Sequence, residues 1–221
     1  MERAHAGRWM LRIAGAAVIV LSGLVIVNSL PYFSKRRDFA FLEEKGSLVS
    51  DPLWRGCFYG HVLGGIVCFL CGPFLLWGRL LARVPRLHRW LGRVYGVAVL
   101  GWAAPSGLYL ACHAKGGVAG RSAFLLLGIL WWGATALGVR AIVARRMPEH
   151  RRWMLRSYAV ALSAVFFRIS HAALFWVGLP DEPNYALSLW FSLAASLVAG
   201  EVLIRRSPTG TRSLTLEGVR A

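Results

Sequence analysis

The chain reads PRLHRWLGRVYGVAV at residues 85–99 and PEHRRWMLRSYAVAL at residues 148–162, and 7 of the 15 aligned positions are identical at an offset of 63. Each copy opens on a proline that interrupts the chain, continues through arginines and a tryptophan, and runs into a long apolar stretch. Arginine and tryptophan gather where a helix leaves the headgroup region and enters hydrocarbon. Both copies therefore read as the cytoplasmic start of a membrane helix, with Trp90 and Trp153 at the interface and Tyr95 and Tyr158 following.

Composition agrees with that reading. The chain has 221 residues, 57% of them apolar, above the roughly 45–50% of a soluble domain. Apolar runs cover about 10–30, 54–77, 90–112, 122–143, 154–177 and 185–204. Each is close to the about 20 residues a crossing requires, and none shows the alternation of a transmembrane barrel strand. The expected fold is all-α, a six-helix transmembrane bundle. The first run is preceded by MERAHAGRWMLR and lacks a small-x-small cleavage site after it, so it reads as an uncleaved helix.

The formal charge of +16 raises the question of a nucleic-acid partner. Placement of the charges argues against one. Arg79, Arg83, Arg86, Arg89 and Arg93 stand together without an acid, and residues 140–156 hold six arginines with only Glu149. The N-terminus has three arginines and the tail four, whereas Lys35, Arg36 and Arg37 are offset by Asp38, Glu43 and Glu44, and Asp181 and Glu182 stand without a base. Alternate loops are basic, which by the positive-inside rule places both termini in the cytoplasm and turns the arginine-rich loops toward anionic lipid headgroups. The expected location is the cytoplasmic (inner) membrane of a bacterium.

The organisation expected is a first helix within 1–30, an outer loop at 31–53, a five-helix core at 54–204 and a basic cytoplasmic tail at 205–221. Within the core, the shared phrase leaves two readings of 85–143 and 148–204, a duplicated two-helix repeat or convergence of two helices that enter from the cytoplasm. Two crossings between copies make such a repeat parallel, related by an axis near the membrane normal. Cys57, Cys68, Cys71 and Cys112 lie in or at the edge of apolar runs and read as small packing residues. Gly56, Gly60 and Gly64 fall at i, i+4 and i+8 on the second run, a spacing expected to let a neighbouring helix approach closely.

The stretches GHVLGGIVCFLCGPF, LHRWLGRVYG and HRRWMLRSYAVALSAVFFR resemble the signature segments of the bacterial membrane-protein family catalogued as domain of unknown function 2306. The likeness covers about 54–204, and Leu75 stands where the resemblance implies glutamine after GPF. It implies a multi-pass membrane protein with no established activity.

Chemistry is sought where ionisable groups lie at membrane depth, since burying them there is costly. His61 sits near the outer end of the second run, Arg168 and His171 are three apart on the fifth, and His171 lies roughly 9 Å from that helix's outer end by helix rise. Matched histidine depth suits bis-imidazole ligation of a b-type haem, with Arg168 for a propionate. His88 and His150, at the inner ends of the third and fifth runs, form a second candidate pair. Glu201 is expected to be neutralised by Arg93, Arg140 or Arg156. No hydrolase or transferase motif is present. The readings this leaves are a multi-pass membrane protein of unknown activity, a haem b electron carrier, or a small-solute transporter. The last would need a polar path, and the sequence places charge at two depths with an apolar middle.

Overall fold

The computed structural model describes residues 2–34, 39–77 and 82–206. Lys35, Arg36, Arg37, Asp38, Arg79 and the tail from 207 onward, all read above as loop or tail charge, lie outside the described residues. Six helices are long and apolar enough to cross a membrane. In chain order they are α1 (Glu2–Ser29), α2 (Pro52–Leu76), α3 (Pro85–Ala111), α4 (Gly117–Val143), α5 (Met147–Trp176) and α6 (Asp181–Arg206). No strand occurs among the described residues.

Local signals set the helix ends. Asp51 caps α2, its carboxylate accepting from the amides of Leu53 at 3.0 Å and Trp54 at 3.3 Å, and Pro52 occupies the first helical position, where its missing N–H costs nothing. Between α1 and α2 the outer loop folds back onto α2 through stacked aromatic rings: Tyr32, Phe39 and Phe41 close around Phe58, which stacks on Trp54 at 5.3 Å. Gly116 and Gly117, with φ of 85° and 60°, make the sharp turn into α4.

The repeated phrase does two jobs. Trp90 remains exposed near the start of α3, as an interfacial anchor should. The tyrosines are core residues. Tyr95 is 1% and Tyr158 3% exposed, and their hydroxyls are spoken for at membrane depth, Tyr95 by Ser157 at 2.9 Å and Tyr158 by Ser22 at 3.0 Å. Thr135 donates to the Trp131 carbonyl at 2.8 Å, so Ser157 must donate to Thr135 across 2.7 Å and Tyr95 must donate to Ser157. That directed chain ties α3, α4 and α5 together.

Two of the spans, α3 and α5, contain an irregular turn. In α3 a π-helical turn occupies Ala98–Ala103, where the Ala104 amide reaches back five residues to Val99. The next donor in that register would serve Leu100, but residue 105 is proline and has none. Side chains supply what the helix lacks: Trp132 Nε1 donates to Leu100 O at 3.3 Å, Ser106 Oγ to Trp102 O, and His61 Nδ1 to Ala103 O at 2.7 Å. In α5 the turn at Leu162 tightens, with ψ of −12° and the Val165 amide reaching back only three residues. The 63-residue offset carries Val99 onto Leu162.

The glycine ridge on α2 is only partly a packing face. A Cβ on Gly64 would meet Ala103 Cβ at 2.8 Å, whereas one on Gly56 meets nothing within 4 Å and one on Gly60 finds Trp102 at 3.8 Å. Gly56 and Gly60 instead line an apolar groove of about 360 Å³ between α2 and α3. Gly64→Leu is therefore expected to separate the helices at a cost of about 1–3 kcal/mol, while Gly60→Leu fills the groove with a smaller loss. Thermal unfolding of both variants in detergent checks this, and an equal loss would contradict it.

Candidate functional site

The residues expected from sequence to form one site are in three different places. His61 faces α3, held on the Ala103 carbonyl and lying against Gly107, where a Cβ would fall 2.8 Å from Nδ1. A carbonyl can only accept, so His61 carries its proton on Nδ1. Arg168 turns back along its own helix to the Ala164 carbonyl at 2.8 Å and is exposed on the lipid side, with the Tyr32 phenol in electrostatic reach. His171 faces α6, where Nδ1 meets Asn184 Oδ1 at 3.1 Å. The two imidazoles that haem ligation would bring together at the outer depth thus have separate partners on separate helices. Spacing of three put Arg168 and His171 on one side of α5, but a long guanidinium side chain can choose its own direction.

What gathers at the end of the bundle where α2, α4 and α6 begin is a different set around His171. A cavity of about 220 Å³ is lined by Phe41, Glu44, Lys115, His171, Asp181 and Tyr185. Lys115 Nζ bridges Asp181 Oδ2 at 2.6 Å and Glu44 Oε1 at 3.0 Å, and lies 5.8 Å over the Tyr185 ring. The hydrogen bonds to Asp181 and then Glu44 raise the Lys115 pKa, so it remains an ammonium. Nearby Lys45 donates to the His113 carbonyl at 2.7 Å, and burial lowers its pKa. Three separate segments thereby converge: the loop before α2, the loop before α4 and the start of α6.

The floor of this cavity is fixed by Asn184, which is fully buried. Its Nδ2 donates to the His171 carbonyl at 3.1 Å, leaving Oδ1 to accept both from Ser188 Oγ at 2.9 Å and from His171 Nδ1. His171 therefore donates from Nδ1. Below Asn184, Ser188, Ser192 and Ser196 continue at intervals of four, all 0% exposed. Ser192 and Ser196 donate to carbonyls of their own helix, Leu189 at 2.7 Å and Leu193 at 2.9 Å. Ser170 of α5 is buried against the same side, its hydroxyl 3.4 Å from the Ser188 carbonyl. At the inner end Arg156 holds Glu201 through two bonds of 2.6 and 3.2 Å and lies 4.7 Å from the Trp153 ring. Of the three arginines expected for Glu201, Arg156 is the one that takes it. The middle of the α5–α6 seam is thus hydroxylated and not apolar. The i, i+4 spacing of Asn184, Ser188, Ser192 and Ser196 was the available signal, hidden because serine blends into an apolar run.

His88 and His150 lie at the same end of the bundle. His150 Nδ1 donates to the Gly138 carbonyl of α4 at 2.8 Å, and His88 Nδ1 is buried without a hydrogen-bond partner. Cys68 and Cys71 are free and buried in the core, as expected of packing residues.

Six apolar helices with their exposed aliphatic and aromatic side chains turned outward define a multi-pass membrane protein in contact with the lipid bilayer. Residues 58–204, about two thirds of the chain, match the family described as Predicted membrane protein (DUF2306), and the chain belongs to that family. No curated protein matches it. No solved structure matches it.

Proposed function

We propose that the protein is a small-solute transporter of a bacterial cytoplasmic membrane, with both termini in the cytoplasm, the Lys115 cavity as its outer entrance and the α5–α6 seam as its path. The observation that carries this reading is the pair of helix interruptions, at Ala98–Ala103 and at Leu162, which the 63-residue offset of the shared phrase brings into register. Interrupted helices at matched positions of an internal repeat are the usual place for a transporter to bind and to flex. The hydroxyl row supports the reading, since it gives a polar solute partners along α6 once α5 moves away. Ser192 and Ser196 donate to carbonyls of their own helix, and these hydroxyls would be the groups a solute engages. The inner arginines, with Arg86, Arg89, Arg151 and Arg152 all exposed, hold the bundle against anionic lipid.

The test uses single cysteines in a background lacking the four native ones, and a small charged thiosulfonate reagent applied from either side of the membrane. Ser188→Cys is expected to react from outside and Ser196→Cys from the cytoplasmic side, with Glu182→Cys and Met147→Cys reporting the outer and inner surfaces. If Ser188→Cys and Ser196→Cys are inert from both sides, the seam is only a packing face and the transport reading fails. Reaction of Met147→Cys from outside in intact cells would overturn the orientation.

A further inference from the structure

We infer that the Lys115 cavity takes a small organic ammonium ion, which replaces the Lys115 ammonium between Asp181 and Glu44. This names the solute class for the proposed entrance and rests on reading the cavity as one.

The contacts that recognise an ammonium are already in place, and two of the protein's own lysines use them. Lys115 Nζ lies 2.6 Å from Asp181 Oδ2 and 3.0 Å from Glu44 Oε1, with the centre of the Tyr185 ring 5.8 Å away. Carboxylate oxygens on one side and an aromatic face on the other are the two partners that favour an ammonium. Phe41, the second aromatic ring of the cavity wall, is used in the same way, with Lys45 Nζ 5.4 Å over its centre. Each aromatic ring lining the cavity thus faces a cation.

The Lys115 ammonium is held so that it can be exchanged. Its partners are open to water, with the side chains of Glu44 48% and Asp181 64% exposed, and ion pairs of that kind are individually weak. Gly116 and Gly117 follow it directly, and their φ of 85° and 60° give the segment a conformational range that other residues lack. A Cβ on Gly116 would lie 3.3 Å from Tyr185 Cδ1, so the ring that faces the ammonium packs against the same turn. An untethered ammonium would keep Glu44 and Asp181 joined while releasing the loop before α4 from the start of α6.

Charge decides the sign of the solute. The lining has two carboxylates and one lysine. Lys45, beside it, is committed to the His113 carbonyl at 2.7 Å and to Phe41, and Arg121 of α4, which acts on Lys45, is exposed. Exchanging one ammonium for another leaves the balance of charge unchanged. An anion seeking Lys115 would first have to expel the two carboxylates that hold it. The cavity volume of about 220 Å³ restricts the solute to a few heavy atoms.

The experiment is isothermal titration of the detergent-purified full chain with n-propylammonium, propionate and 1-propanol, probes of similar size that differ in charge. Propylammonium should bind at one site, and the other two should not. Lys115 competes from the effective concentration its own tether sets, so Lys115→Gln should tighten propylammonium binding by about tenfold or more. Asp181→Asn and Glu44→Gln should each weaken it by about as much. Lys115→Gln decides between binding and bracing, because removing a lysine that only staples the loops would loosen the site and weaken binding. If that variant does not fold, the two carboxamide variants decide, and native affinity in both overturns the inference. So do absence of binding by the native chain and Lys115→Gln alike, weaker binding by Lys115→Gln, or binding of propionate in place of propylammonium. Binding is read without transport: propylammonium binding with Ser188→Cys and Ser196→Cys inert ends the transport reading alone, and reactive cysteines without propylammonium binding end this inference alone.

Discussion

Alanine at position 72 is expected to lower the thermal unfolding midpoint and the yield of folded protein more than alanine at any of the open glycine positions of the bundle. A Cβ there would fall inside the Tyr158 ring. The ring has nowhere to go: Tyr158 is 3% exposed, its hydroxyl is held by Ser22 on α1, and Phe69 sits edge-on against it with centroids 6.5 Å apart. Moving the ring breaks the hydrogen bond that joins α1 to α5, and moving α2 opens the core around Cys68. Overpacking of this kind costs about 1–3 kcal/mol in well-packed cores, and more where the neighbour cannot yield. Gly65→Ala on the same helix is the control, because its Cβ meets nothing within 4 Å. Equal midpoints for Gly72→Ala and Gly65→Ala in the same detergent would show that α2 does not pack on Tyr158 as described.

Leucine at position 184 is expected to be the most damaging polar-to-apolar change at the outer end of the bundle. Asn184 serves three partners at once, the His171 ring, the His171 carbonyl and Ser188. Leucine fills much the same volume but leaves all three without it, and each buried group so orphaned costs roughly 1–3 kcal/mol unless water reaches it. Ser188→Ala removes one bond and should lose less. The two variants are compared by thermal unfolding in detergent, and by the reactivity of a cysteine placed at Tyr185 with a hydrophilic thiol reagent, which should rise in Asn184→Leu as the cavity floor loosens. A midpoint for Asn184→Leu equal to that of Ser188→Ala would mean that the amide is not what holds α5 to α6.

The architecture was legible because hydrocarbon imposes it locally. Every backbone group must be satisfied within its own segment, so a long apolar run can only be a helix, and the runs ending near residues 77, 143 and 177 end within a residue or so of α2, α4 and α5. The repeated phrase was legible for the same reason, since proline, arginine and tryptophan respond to where the chain meets the interface and not to its neighbours. Glu201 was legible only in part. Its need for a cation followed from depth, but Arg93, Arg140 and Arg156 are alike in depth, and the choice of Arg156 depends on α5 lying beside α6.

The candidate sites followed the opposite rule. His61, Arg168 and His171 were grouped by depth, and depth says nothing about rotation around a helix axis or about which helix is next door. His61 is claimed by the carbonyl that the α3 interruption leaves at Ala103, and His171 by the amide of Asn184. Lys115 and Glu44 come from two loops and Asp181 from the first turn of α6, all far apart in sequence, so no spacing could announce their cluster. The sequence by itself determined the class, the six crossings and their entry points, because each is a transaction between one segment and the bilayer. The tertiary structure alone decided which polar groups meet, because side-chain partnership depends on the rotation and adjacency of helices, and lipid, being indifferent to both, leaves no trace of them in hydropathy.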